Sequence, residues 1–96
     1  MIKKFRDNDT EDLFRGGHGN KKWQSFKRVA RRKLLLLDAA TSLRDLKAPP
    51  NNQLEALERD RKGQYSIRIN DQYRVCFEWD GGHAYNVEVA DTHHHR

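Results

Sequence analysis

The chain has 96 residues, 34% charged and 35% hydrophobic, with a formal net charge of +5. That is enough for one domain with a modest core, so residues 1–96 are expected to fold as a single unit. No apolar run approaches the length of a membrane span, and the opening MIKKFRDND lacks the apolar stretch of a secretion signal, so no membrane role is expected.

Cys76 is the single cysteine, which excludes an internal disulfide and fits a cytoplasmic protein. The charge is unevenly spread. Residues 1–48 hold 13 Lys/Arg against 6 Asp/Glu, whereas residues 49–96 hold 6 against 8. A cationic half favours a polyanion or an acidic protein as partner.

Ile2, Lys3 and Phe5 alternate as in a strand. Asn8, Asp9 and Thr10 offer N-cap oxygens to a short helix over 11–15, ended by Gly16 and Gly17. A long helix is predicted over 21–40, with Trp23, Phe26, Ala30, Leu34 and Leu37 as its apolar stripe. Lys27, Arg28, Arg31, Arg32 and Lys33 are assigned to its polar surface. No acid stands among residues 21–33, so like charges repel along this face unless a polyanion or acidic partner covers it. The alternative is a solvated face screened by salt.

Thr41 and Ser42 can cap a short turn through Leu46. Pro49, Pro50, Asn51 and Asn52 then form a linker between layers. Strands follow over 53–57, 64–69, 73–79 and 83–89, with turns short enough to require consecutive antiparallel pairing. Alternation places Tyr65, Ile67, Ile69, Val75, Phe77 and Trp79 toward the core, and Tyr85, Val87 and Val89 with them. Ser66, Arg68, Arg74, Cys76 and Glu78 fall on the other face.

Four arginines, Arg59, Arg61, Arg68 and Arg74, thus belong to a strand region. Each planar guanidinium matches the oxygens of a phosphate, so RNA is the first ligand to consider. For Arg74 the competing expectation is an ion pair with Glu78 or Glu88 across the sheet. His93, His94 and His95 are adjacent at a chain end, with no second His or Cys cluster, so no metal is expected there.

Asp60-Arg61-x-Gly63, Tyr65-Ser66-Ile67-x-Ile69 and Tyr73-Arg74-x-x-Phe77, with MIKKF and LDAATSLRDL, resemble the HigB branch of the RelE/ParE toxin superfamily over nearly the whole chain. The resemblance implies an α+β, RelE/ParE-like microbial RNase fold: two or three helices on a mainly antiparallel sheet of four to five strands. It implies the toxin of a type II toxin-antitoxin system, a metal-independent endoribonuclease that cuts messages on the 70S ribosome and needs no cofactor. The implied partners are the ribosome, its mRNA and a HigA-like helix-turn-helix antitoxin, with operator DNA reached only through the antitoxin.

By the same resemblance, Arg74 is the arginine that stabilises the reacting phosphate, and Asp91 and His93 match the acidic and imidazole positions near the C-terminus. Arg59, Arg61, Lys62 and Arg68 are candidate RNA contacts, as are Lys27, Arg28 and Arg31 on the helix. Two positions depart from the family pattern. Thr92 stands where a tyrosine is usual, and Glu58 stands where a lysine is usual. Glu58 either serves as general base, leaves its phosphate role to Arg59, or weakens activity. The second reading is therefore an attenuated or non-catalytic module that pairs with its antitoxin, or that acts on DNA gyrase as the ParE branch does.

Overall fold

The computed structural model of the protein describes residues 1–92. The first helix, α1, spans Asn8–Phe14 and begins earlier than its capping candidates suggested. Its N-cap is Asp7, whose Oδ1 accepts the Thr10 backbone N–H at 2.7 Å and whose Oδ2 accepts the Thr10 hydroxyl at 3.1 Å. A carboxylate here also meets the positive helix end. Thr10 is buried, and its Oγ1 accepts the Val89 N–H at 3.0 Å, which ties α1 to the last strand.

The helix expected over 21–40 is broken in two. A 3₁₀ segment, Lys21–Phe26, leads into α2, Lys27–Ala39. The Asn20 side chain caps the 3₁₀ segment by accepting the Lys22 N–H at 2.8 Å. In a 3₁₀ turn, residues three apart lie in line. Trp23 and Phe26 therefore face the same way: Trp23 is buried, and Phe26 packs on Tyr73 with ring centroids 4.6 Å apart. Gly19 permits this packing, since a Cβ there would stand 2.9 Å from the Trp23 ring.

Ala30, Leu34 and Leu37 are buried along α2, as their spacing requires. Lys33 is a correction to the polar-surface assignment: it is only 3% exposed. It lies three residues after Ala30 and four before Leu37, so the apolar stripe closes over its stem.

The four strands are β1 (Glu55–Ala56), β2 (Tyr65–Arg68), β3 (Tyr73–Asp80) and β4 (His83–Asp91), paired antiparallel in that order. β1 is shorter than predicted, and at its start this is because Gln53 adopts a left-handed backbone, φ 47°, which a strand cannot include. The opening segment adds two parallel bridges to β4, Ile2 with Ala84 and Phe5 with Val87.

A β-bulge changes the face of one predicted core residue. Cys76 pairs with Glu88, but Glu78 pairs with Tyr85, so Asn86 and Val87 together oppose Phe77. Asn86 absorbs the extra residue at φ 52°. Tyr85 consequently lies on the Glu78 face and is not in line with the buried Val87 and Val89.

The core gathers Ile67, Val75, Phe77, Val87 and Val89 beneath Ala30, Leu34 and Leu37 of α2. Arg68, Arg74, Ser66 and Cys76 alternate with these apolar residues, so they occupy the sheet face turned away from α2. No helix among the described residues is long and apolar enough to cross a membrane.

Candidate functional site

The face turned away from α2 opens into a cleft of about 740 Å³. Arg59, Arg61, Arg68 and Arg74 line it together with Glu55 and Glu58. Arg74 is the most deeply held of the ion-paired arginines, with its side chain 13% exposed. Its Nε–H donates to Ser66 Oγ at 2.7 Å, and its Nη2 donates to the Gln53 carbonyl. The Glu55 carboxylate stands 3.3 Å from the same Nη2. Glu55 thus replaces Glu78 and Glu88 as the expected acidic neighbour.

Burial lowers the Arg74 pKa from the ordinary arginine value. Glu55 and the Cys76 sulfur oppose that shift, and Arg68 adds to it. The group still carries its charge at neutral pH, because a guanidinium starts so far above it.

Arg68 and Arg74 are direct partners across β2 and β3. Two like charges placed so closely repel. Each has its own carboxylate: Arg68 donates to Asp71 at 2.5 Å, and Arg74 meets Glu55. Both acids are more exposed than the arginines they meet: the Asp71 side chain is 99% and the Glu55 side chain 58% accessible. Exposed pairs of this kind are weak, so an incoming phosphate can displace either carboxylate at little cost.

The other candidates separate. Arg61 is committed within the protein: it donates to Glu88 at 2.9 Å and to Gln64 at 3.1 Å. Arg6 reaches the same Glu88 carboxylate at 3.4 Å. Burial works against the Arg61 charge, but the Glu88 hydrogen bond and the nearby carboxylates outweigh it, and the net shift is upward. Arg59 is exposed, takes a left-handed φ of 59°, and has no ion pair among the described residues. Glu58 is also exposed, with no hydrogen-bond partner for its carboxylate among the described residues.

Lys62 lines a different cleft, with Lys4, Glu78, Trp79 and Tyr85. Asp91 is not brought to Arg74. It pairs with Tyr73 on the α2 side of the sheet and accepts from Gln72 Nε2 at 2.9 Å. Thr92 does line the Arg74 cleft. His93 lies outside the described residues.

Lys27, Arg28 and Arg31 stand on α2, behind the sheet, and so form a second basic surface distinct from the cleft. Lys27 Nζ contacts His18 Nδ1 at 2.7 Å, while Arg28 and Arg31 are exposed.

Residues 3–93 match the family model described as the RelE-like toxin of the type II toxin-antitoxin system HigB. The chain belongs to the HigB-like toxin family. The protein is 50% identical over 62 residues to Toxin HigB-1 of Vibrio cholerae, covering 65% of this chain and 64% of that protein. The matched region is thus just under two thirds of the length of that relative. It is also 34% identical over 90 residues to an uncharacterised protein of Haemophilus influenzae, covering 93% of this chain and 88% of the other. The helices on an antiparallel sheet agree with this family.

Three contacts of Arg74 in this HigB-like site escaped the sequence reading. Ser66 is the buried acceptor for Arg74, although its place in the alternation already put it on the arginine face. The Gln53 carbonyl and the Glu55 carboxylate come from the segment entering β1, and only the paired sheet brings them to Arg74.

Proposed function

We propose that this HigB-like protein is the toxin of a type II toxin-antitoxin pair and a ribosome-dependent endoribonuclease that cuts messenger RNA at the Arg74 cleft. The observation that carries this reading is Arg74 itself. Its guanidinium is pinned by Ser66 and the Gln53 carbonyl, yet the carboxylate paired with it among the described residues is exposed, so a phosphate can replace it.

In the proposed reaction, the ribose 2′-oxygen attacks the adjacent phosphorus and the bond to the 5′-oxygen breaks. The 2′-hydroxyl proton passes to a base, and the departing 5′-oxygen takes a proton from an acid. Glu58 is the base candidate in the cleft, since its carboxylate is unengaged among the described residues. His93 is the acid candidate by family resemblance, and imidazole is suited to proton transfer near neutral pH. Arg74 offsets the charge that gathers on the phosphate oxygens as five-coordinate phosphorus forms. Arg59 and Arg68 hold the flanking backbone.

The basic face of α2 then serves a different contact from the message in the cleft. An acidic segment of a HigA-like antitoxin or the ribosomal backbone fits its charge. The antitoxin would carry the helix-turn-helix contact to operator DNA, and the site of action would be the cytoplasm.

Induced expression followed by primer extension on translated messages tests the activity. Cuts inside codons are expected, and Arg74→Ala should restore growth. The attenuated alternative is favoured by Glu58, whose charge opposes a phosphate. If Glu58→Lys turns a harmless chain into a growth inhibitor, the natural protein is the weakened form.

A further inference from the structure

Lys33 is a lysine where the fold has little use for one. It sits in the buried stripe of α2, 3% exposed, beside Ala30, Leu34 and Leu37. Two further cations, Arg32 and Arg68, act on it, and no carboxylate pairs with it among the described residues. A buried ammonium without a counter-charge costs stability, and an apolar side chain of the same length would pack here more favourably. Its single side-chain hydrogen bond among the described residues is to Asn52 Oδ1.

Asn52 is fully buried in the linker that leads to β1. Its Nδ2 donates to the Leu46 carbonyl at 3.2 Å and to the Ala48 carbonyl at 3.4 Å. With Lys33 on the oxygen, both ends of the amide are in use. The next residue is Gln53, held in its left-handed conformation with its N–H on the Pro50 carbonyl at 3.2 Å. The Gln53 carbonyl is the acceptor for Arg74 Nη2.

We propose that Lys33 and Asn52 form a positioning pair for Arg74, fixing from behind the sheet the backbone carbonyl that orients its guanidinium in the cleft. The consequence for RNA cleavage rests on the function proposed above; the consequence for the Arg74 side chain does not. The pair links the hydrophobic layer under α2 to the reactive face through one side-chain hydrogen bond and one peptide unit. Release of the linker lets the Gln53 carbonyl drift, and misplacement of a catalytic group by about 1 Å is enough to cost roughly 100-fold in rate.

Lys33→Met is the informative variant, because it keeps the length and removes the hydrogen bond. Three readouts apply to it. In ¹⁵N-detected spectra, the two Nη signals of Arg74 are distinct in the parent, where the Gln53 contact hinders rotation, and merge in the variant. On ribosome-bound message, kcat falls about tenfold or more while the half-saturating ribosome concentration holds. The melting temperature does not fall, which a merely structural role would not allow. In an Arg74→Ala background, Lys33→Met produces no further loss, because the pair acts through that guanidinium.

Distinct Nη signals retained in Lys33→Met, or losses that multiply in the double variant, overturn the proposal. Should Lys33→Met not fold, Lys33→Gln, whose shorter side chain draws back from Asn52, is read for the same Nη signals and the same rate. A parent protein that leaves every message intact while the signals still merge in the variant sinks the nuclease reading and upholds the positioning pair.

Discussion

Ser66 Oγ accepts the Nε–H of Arg74 at 2.7 Å, diagonally across β2 and β3, beneath the floor of the cleft. Ser66 is fully buried, so this hydroxyl has no solvent to compensate its loss. Ser66→Ala should lower stability by about 1–3 kcal/mol, the usual cost of a buried donor left without its acceptor. It should also slow cleavage, because among the described residues Arg74 then keeps only the Gln53 carbonyl and the exposed Glu55. Urea unfolding and single-turnover cleavage on the same preparation check both effects.

Arg61 and Arg59 are close in sequence and different in use. Arg61→Ala removes the closer of two cations from Glu88, whose side chain is 15% exposed, and should cost about 1–2 kcal/mol. Arg59→Ala should leave stability within about 0.5 kcal/mol, as for other surface changes, while weakening message binding. Denaturation midpoints set against RNA retention separate the two. Equal stability losses would show that Arg59 is also engaged within the fold.

Cys76 lies under the charged cluster of Arg61, Glu88 and Arg74, and burial pushes its thiol up to about 11. A thiol held so high has almost no thiolate at neutral pH. The folded protein should therefore resist thiol reagents and react only after unfolding. Colorimetric titration with and without denaturant is the check.

Lys33 has a pH signature of its own. Burial, then Arg32 and Arg68, lower its pKa in the folded protein. Between that lowered value and the ordinary lysine value, the unfolded chain binds more protons than the folded one, so stability rises with pH across this interval. Below the interval the folded protein carries the full cost of the buried charge. Denaturant midpoints taken from neutral pH toward the ordinary lysine pKa should climb in the parent, and this contribution should vanish in Lys33→Met.

Local rules made the strands legible. The alternation through Tyr65, Ile67, Val75 and Phe77 depends only on the chain itself, and the short turns force neighbouring strands to pair. The same alternation located Arg74 on the face away from α2, where the structure has it. What stayed hidden depends on distant residues. The break at Phe26 serves its contact with Tyr73. The bulge that carries Tyr85 to the Glu78 face has a single local sign, Asn86, a residue type that tolerates the left-handed backbone.

The same holds at the site. A carbonyl such as that of Gln53 has no side-chain signature, so no sequence pattern announces it as the partner of Arg74. Lys33 looked like one more cation of a basic helix until the linker folded over it. The sequence reading names RNA contacts both on the basic helix and on the arginine strands, and the intervening sheet gives the two groups opposite outlooks.

The central claim is that the Arg74 guanidinium meets the message at the bond that breaks. Single-turnover cleavage of a defined message on purified ribosomes, by the parent and by Arg74→Ala, tests it most directly. A drop of about 100-fold or more, with ribosome binding kept, is the result expected for loss of a charge-stabilising group. Equal rates in the two proteins would contradict it.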